Sequence, residues 1–244
     1  MKIKRRYLKI LRFLLLLFLL IIINLGVYWV MQQGVKPNIK INKIEINKPA
    51  IGSALYKNKL ADWVGAWRKA IPDFDINSLV QVKEEAFKPY QVAAYQSNPE
   101  REKLRQQLQL FSPDRTKYLD IYGGMELSEE NGVIQAILDA DTGVTLVDLK
   151  SKKSYGLLFS GPSGGGFHAA FWIDDSSFVV AGSEVRQEKD AYAYYPILYM
   201  FNLTDKKMSI YSDSSEVSED NYYNDVRKTI WDNFSRKHPN IKIQ

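Results

Sequence analysis

Three short stretches of this chain carry residue types at spacings that known chemistry uses. Gly161-Pro162-Ser163-Gly164-Gly165 satisfies G-x-S-x-G, the turn that lifts a nucleophilic serine beside backbone N–H donors at a strand-to-helix junction. A hydrolase built on Ser163 needs an acid and then a histidine downstream, which leaves only His238 in the C-terminal tail. The residues after the motif, Phe167 to Trp172, read as a strand, so a Gly-rich connection explains the stretch better than a nucleophile turn. Asp141-Thr142-Gly143 matches the aspartic-protease tripeptide, but that chemistry needs two carboxylates sharing a proton and the chain has one copy. Val144 also stands where Ala or Ser normally follows, and a turn joining strands around Ile134 and Thr145 wants the same residues. Asp73, Asp75 and Asn77 with Glu84 echo a calcium loop, yet Ser78 occupies the position where the sharp bend needs Gly.

Other chemistry is excluded by composition. With no cysteine and two histidines, thiol catalysis, disulfides, Cys-zinc sites and Fe–S clusters are ruled out, and a His-based metal site nearly so. Neither a Walker loop nor G-x-G-x-x-G occurs, so no catalytic residue, no cofactor and no metal is predicted. The remaining chemical feature is aromatic: Tyr192, Tyr194, Tyr195 and Tyr199 cluster about Pro196. Such a patch stacks on a sugar or meets a partner, or else packs within a sheet as a Tyr-rich strand. The candidate partner-binding residues are Ser163, Phe167, Tyr192, Tyr194 and Tyr195, on loops Ser160–Phe167 and Val185–Pro196.

The elements that would position these residues divide the chain in order. Residues 1–12 are a basic stub, 13–35 an uncharged apolar run, and 36–54 a polar stalk whose isoleucines alternate with a slip at Lys43. Across 55–110 the segment is mixed: Leu60, Trp63, Val64, Trp67 and Ile71 recur at helical spacing until Pro72. Phe74, Ile76, Val80 and Val82 then alternate as in a strand. A second helix is predicted from a Ser97/Glu100 capping box to Pro113, with Leu104, Leu108 and Phe111 on one face. Residues 111–212 are β-rich. Across 213–244, Tyr223, Val226, Ile230 and Phe234 mark a C-terminal helix that begins in acid and ends in Arg236-Lys237.

The β-rich region contains a repeat. Phe111-Ser112-Pro113-Asp114 followed by the strand from Lys117 to Tyr122 returns 61 residues later as Trp172-Ile173-Asp174-Asp175 and Phe178 to Ala181. Val147-Asp148-Leu149-Lys150 returns 54 residues later as Phe201-Asn202-Leu203-Thr204. Each unit is a strand pair, a variable loop, a strand, a polar turn and another strand, a four-stranded meander made twice. The two units resemble the blade repeats of TolB-like and WD40-like β-propellers, with Arg115 where those repeats carry Gly. The resemblance implies architecture and no activity. Two blades do not close a propeller, so two meanders packed together under flanking helices are expected.

Phe13 to Val35 is long enough to cross a hydrocarbon layer of about 30 Å as one helix, with Tyr28 and Trp29 at its exit side. It lacks the short apolar core and small-residue site of a cleaved signal, so an uncleaved anchor is expected. The first twelve residues hold six of the 33 Lys and Arg and no acid, which orients the N-terminus to the cytoplasm. The rest carries 27 basic and 28 acidic residues, so the formal charge of +5 belongs to the stub, and nucleic acid is rejected as a partner. The expectation is a single-pass α+β membrane protein with its bulk extracytoplasmic. It would serve as a binding module in a cell-envelope assembly, with lipid around 13–35 and a protein partner outside. The alternatives are an anchored serine hydrolase using Ser163 and a sugar or peptide sensor.

Overall fold

The computed structural model describes residues 54–161, 165–188 and 191–244. The chain divides into two compact units, 1–44 and 45–244, and every described residue belongs to the second. The basic stub, the apolar run 13–35, nearly all of the stalk and Ser163 lie outside the described residues. Among the described residues no helix is long and apolar enough to cross a membrane.

Helices α1 (Ala54–Lys59) and α2 (Ala61–Ala70) follow the predicted periodicity with a break at Leu60, which i→i−4 bonds from Leu60 N to Tyr56 O and from Val64 N to Leu60 O span. Their buried face is Tyr56, Leu60, Trp63, Val64 and Trp67. The expected strand from Phe74 starts late. Phe74 and Ile76 are buried, but Asp75 caps a 3₁₀ turn over Ile76–Ser78, and only β1 (Val80–Ala86) is extended. Val80 and Val82 lie exposed on it, because β1 is a sheet edge. Strand β2 (Gln91–Ala94) follows, then α3 (Pro99–Arg105) and a 3₁₀ turn to Leu108. Asn98, not Ser97, caps α3: its Oδ1 accepts the N–H groups of Glu100 and Arg101, and Pro99 then fills the first helical position. Arg105 ties this helix to the sheets through paired bonds to Asp120 and through the carbonyls of Tyr122 and Met125.

The remaining strands are β3 (Leu110–Phe111), β4 (Lys117–Asp120), β5 (Met125–Glu130), β6 (Val133–Leu138), β7 (Thr142–Asp148) and β8 (Lys153–Ser160). They continue as β9 (Phe167–Trp172), β10 (Ser177–Glu188), β11 (Ala191–Asn202), β12 (Lys207–Ser212) and β13 (Val217–Ser218). One sheet runs β3-β4-β7-β8-β2 and a second β9-β10-β11-β12-β1, with β13 on the far part of β11. Every pairing in both is antiparallel. Between β4 and β7 stands the β5–β6 hairpin, turned at Asn131-Gly132, both with positive φ. Strands β10 and β11 pair along their whole length, from Ser177 opposite Asn202 to Glu188 opposite Ala191.

Alternation along β10 assigns the layers. Phe178 and Val180 face the first sheet with Leu119, Val144 and Leu146, while Val179 and Ala181 face the helices. A strand buried on both faces must be apolar throughout, which is how Phe178-Val179-Val180-Ala181 reads. The chain ends in one helical run: α4 (Glu219–Asn221), a π-helical stretch Tyr222–Arg227, and α5 (Lys228–Lys237). Its tail adds β14 (Ile241–Ile243) parallel to β6. The described unit is α+β, built mainly of antiparallel sheet.

Candidate functional site

The C-terminal helix buries Tyr222, Val226 and Phe234, with Ile230 packed partly against the core. That is a spacing of four, which an α-helix with 3.6 residues per turn cannot hold on one face. The wider π turn at its start absorbs the drift, so Tyr222 points inward and Tyr223, the residue expected on the face, is exposed. Such turns recur at functional sites because they re-aim side chains.

A second irregularity faces it. In β9, Ala169 pairs with Ala181 and Phe167 with Gly182, so His168 is the extra residue of a bulge. The bulge sets His168 beside Ala169 on the helix side of the sheet, where its Nε2 lies 3.2 Å from the Tyr222 hydroxyl. Tyr222 Oη in turn lies 2.7 Å from Ser183 Oγ, which accepts the Gly166 N–H at 2.9 Å. Glycine is required for this approach: a Cβ on Gly165 would fall 1.6 Å from the Ser183 carbonyl oxygen, and one on Gly182 2.1 Å from that of Gly166. The Gly-rich connection between the repeats therefore has a packing reason, and its described part is strand-edge backbone, not the start of a helix.

One order of donation satisfies both hydroxyl protons: Ser183 donates to Tyr222 and Tyr222 to His168 Nε2, with the neutral imidazole carrying its proton on Nδ1. Burial, with Arg227 nearby, pushes the His168 pKa down to about 3, so the ring stays neutral. Burial likewise pushes the Tyr222 hydroxyl up to about 12. Tyr194 stacks on Tyr222 at 4.0 Å and 6°, and its own hydroxyl is also raised by burial and by Tyr223. Sealed from solvent, His168 Nδ1 has no hydrogen-bond partner, and neither has Thr142 Oγ1.

Those two orphaned atoms belong to residues lining one small cleft, about 80 Å³. Around it stand Asp139, Asp141, Phe167, Tyr223, Arg227 and Trp231. A Cβ on Gly161 would sit 3.9 Å from Asp141 Oδ1, so the described ends of the Gly-rich connection and the Asp141-Thr142 turn share this corner. The structure thus gathers two of the stretches singled out in the sequence. It leaves the third apart: Asp75 accepts from Asn77 while Glu84, on β1, pairs with Lys207 at 2.9 Å. Among the described residues no three His, Asp or Glu side chains converge as a metal site. The other histidine, His238, follows α5 and packs on Phe234 with ring centroids 4.7 Å apart.

Of the tyrosine patch, only Tyr192 is exposed. Tyr194 is buried under the helical run because β11 alternates, and Tyr195, on the opposite face, is buried with its hydroxyl 2.8 Å from Glu216 and Arg186 over its ring. Neither offers an open ring face to a ligand. The residues that the sequence reading missed are Ser183, Tyr222 and Arg227. The available signal was the repeat of four from Tyr222 to Phe234. No family model, no curated protein and no solved structure matches this chain.

Proposed function

We propose that this chain is a membrane-anchored, extracytoplasmic binding module, a component or regulator of a cell-envelope assembly built on two blade-like meanders. In this reading the cleft at His168 receives a polar group of the bound partner. The observation that carries it is the pair of sealed, unpartnered polar atoms, His168 Nδ1 and Thr142 Oγ1, on one cleft. An unmet buried donor or acceptor costs about 1–3 kcal/mol, a penalty that a bound group relieves once a turn of either side chain opens its atom to the cleft. The same groups are poor catalysts, since a histidine titrating near 3 and a tyrosine near 12 neither take nor release protons at neutral pH.

The test is purification of the full-length protein from its native membrane in mild detergent, with mass spectrometry of what accompanies it. A stoichiometric partner that is lost on T142V and on H168F, with the variants still folded, supports the reading. A partner retained at wild-type level by both variants removes the cleft from it. Activity that vanishes with S163A would instead favour the anchored hydrolase.

A further inference from the structure

Open sheet edges invite another strand, and folded proteins guard them with charge. Edge strand β1 carries Lys83, Glu84 and Glu85, β5 carries Glu126, Glu129 and Glu130, and β14 carries Lys242. Edges β3 and β9 are also uncharged, but they lie against each other, with the Trp172 indole N–H on the Leu110 carbonyl; strand β2 has no such cover among the described residues. It ends the first sheet, its four residues Gln91-Val92-Ala93-Ala94 are uncharged, and all four are exposed. The Tyr95 N–H bonds the Lys152 carbonyl, which fixes the parity: Gln91 and Ala93 bond β8, and Val92 and Ala94 turn their backbone groups outward.

Both sides of this edge are concave. Val92, 56% exposed, borders an apolar groove of about 680 Å³ formed with Phe87, Pro89, Tyr155, Leu157 and Leu203. Its rim holds Lys88, Lys117 and Lys206 against the single acid Asp148. Ala94 borders a second groove of about 610 Å³ that contains Tyr90 and Phe159, 55% and 60% exposed. The Tyr90 ring lies over Gly156, where a Cβ would fall 2.5 Å from it, and meets the Phe159 ring edge-on with centroids 6.2 Å apart.

We infer that β2 is a strand-addition site for an extended segment of another protein, apolar at alternate positions and acidic at its ends. Backbone pairing to Val92 and Ala94 supplies affinity, the apolar groove selects the side chains, and the three rim lysines select the acidic ends. This rests on the reading of the chain as a binding module but uses a surface separate from the His168 cleft, so H168F leaves it intact.

The probe is a synthetic peptide of alternating valine and threonine with two glutamates at each end, titrated by fluorescence anisotropy into the full-length protein in detergent. Binding at a Kd on the order of 100 µM or tighter is expected. It should weaken about tenfold or more for A94P, which removes an outward N–H without touching the β8 pairing, and for V92K. A lysine-ended version of the peptide should bind at least about tenfold more weakly than the glutamate-ended one. Unchanged thermal midpoints in both variants exclude unfolding as the cause. Absence of binding at about 1 mM peptide, or equal binding by A94P, overturns the inference. Sedimentation showing a dimer that A94P dissolves also overturns it, because the occupant is then a second copy of this chain.

Discussion

At the scale of the residue, His168 shows how one inserted position creates a site. Without the bulge it would alternate toward the first sheet; with it, the ring meets Tyr222 and leaves Nδ1 unpaired. Its titration follows from this burial. In the unfolded chain the ring takes a proton near 6.5, whereas in the fold it resists until about 3. Between those values the unfolded state binds the extra proton, so the stability contributed by the neutral ring is complete above the unfolded pKa and is lost as pH falls through that window. Wild-type protein should lose up to about 2 kcal/mol more stability than H168L between pH 7 and pH 5. Urea denaturation of both proteins at the two pH values measures it, and equal losses would mean that the ring is solvated in the fold.

At the scale of the element, the turns were legible because they are written in short-range chemistry. Asp114 accepts the Thr116 N–H and Asp174 the Ser176 N–H, while Asp148 and Asn202 cap the second turn of each unit. Lys152 and Lys206, 54 residues apart, both adopt φ near +50°. What was not legible depended on a partner distant in sequence: the Tyr222–His168 contact, the exposed edge at β1 that leaves Val80 and Val82 in solvent, and the parallel pairing of Ile241–Ile243. Local periodicity carries no information about which strand lies beside another, so those features emerge only from packing. The turn residues themselves are open to test. Lys152 holds a left-handed conformation that disfavours any side chain, so K152G should stabilise the protein by about 0.5 kcal/mol after the entropy of glycine is offset. Arg115, at φ 55°, also sets its guanidinium 4.4 Å from the Phe111 ring, so R115G forfeits that contact and should gain nothing. Thermal midpoints of the two variants separate the cases, and a matching gain in both would mean that the ring contact is without weight.

At the scale of the whole molecule, the first sheet shares its core with one face of the second. Leu119, Val144 and Leu146 from the first share one cluster with Phe178, Val180 and Phe201 from the second. Phe178 is its pivot: fully buried, stacked on Phe201 at 4.7 Å and in contact with Trp172 at 5.0 Å. Trp172 in turn donates its indole N–H to the Leu110 carbonyl of the first sheet, and Asp175 accepts the Asp114 N–H, so the turn before β4 is tied to the turn before β10. Here two sheets meet once, and the second also lies under α1, α2 and the C-terminal run, whose aromatics Trp63, Trp67 and Tyr222 cover its other face. Loss of the shared cluster should therefore release both sheets together. F178A removes a stacked ring from a site with no solvent access and should cost about 3–5 kcal/mol, within one cooperative transition. Hydrogen exchange supplies the decisive readout. Amides of β7 and of β10 should lose protection by the same amount in F178A, because their cores are one; protection lost in β10 alone would show that the first sheet is stable by itself.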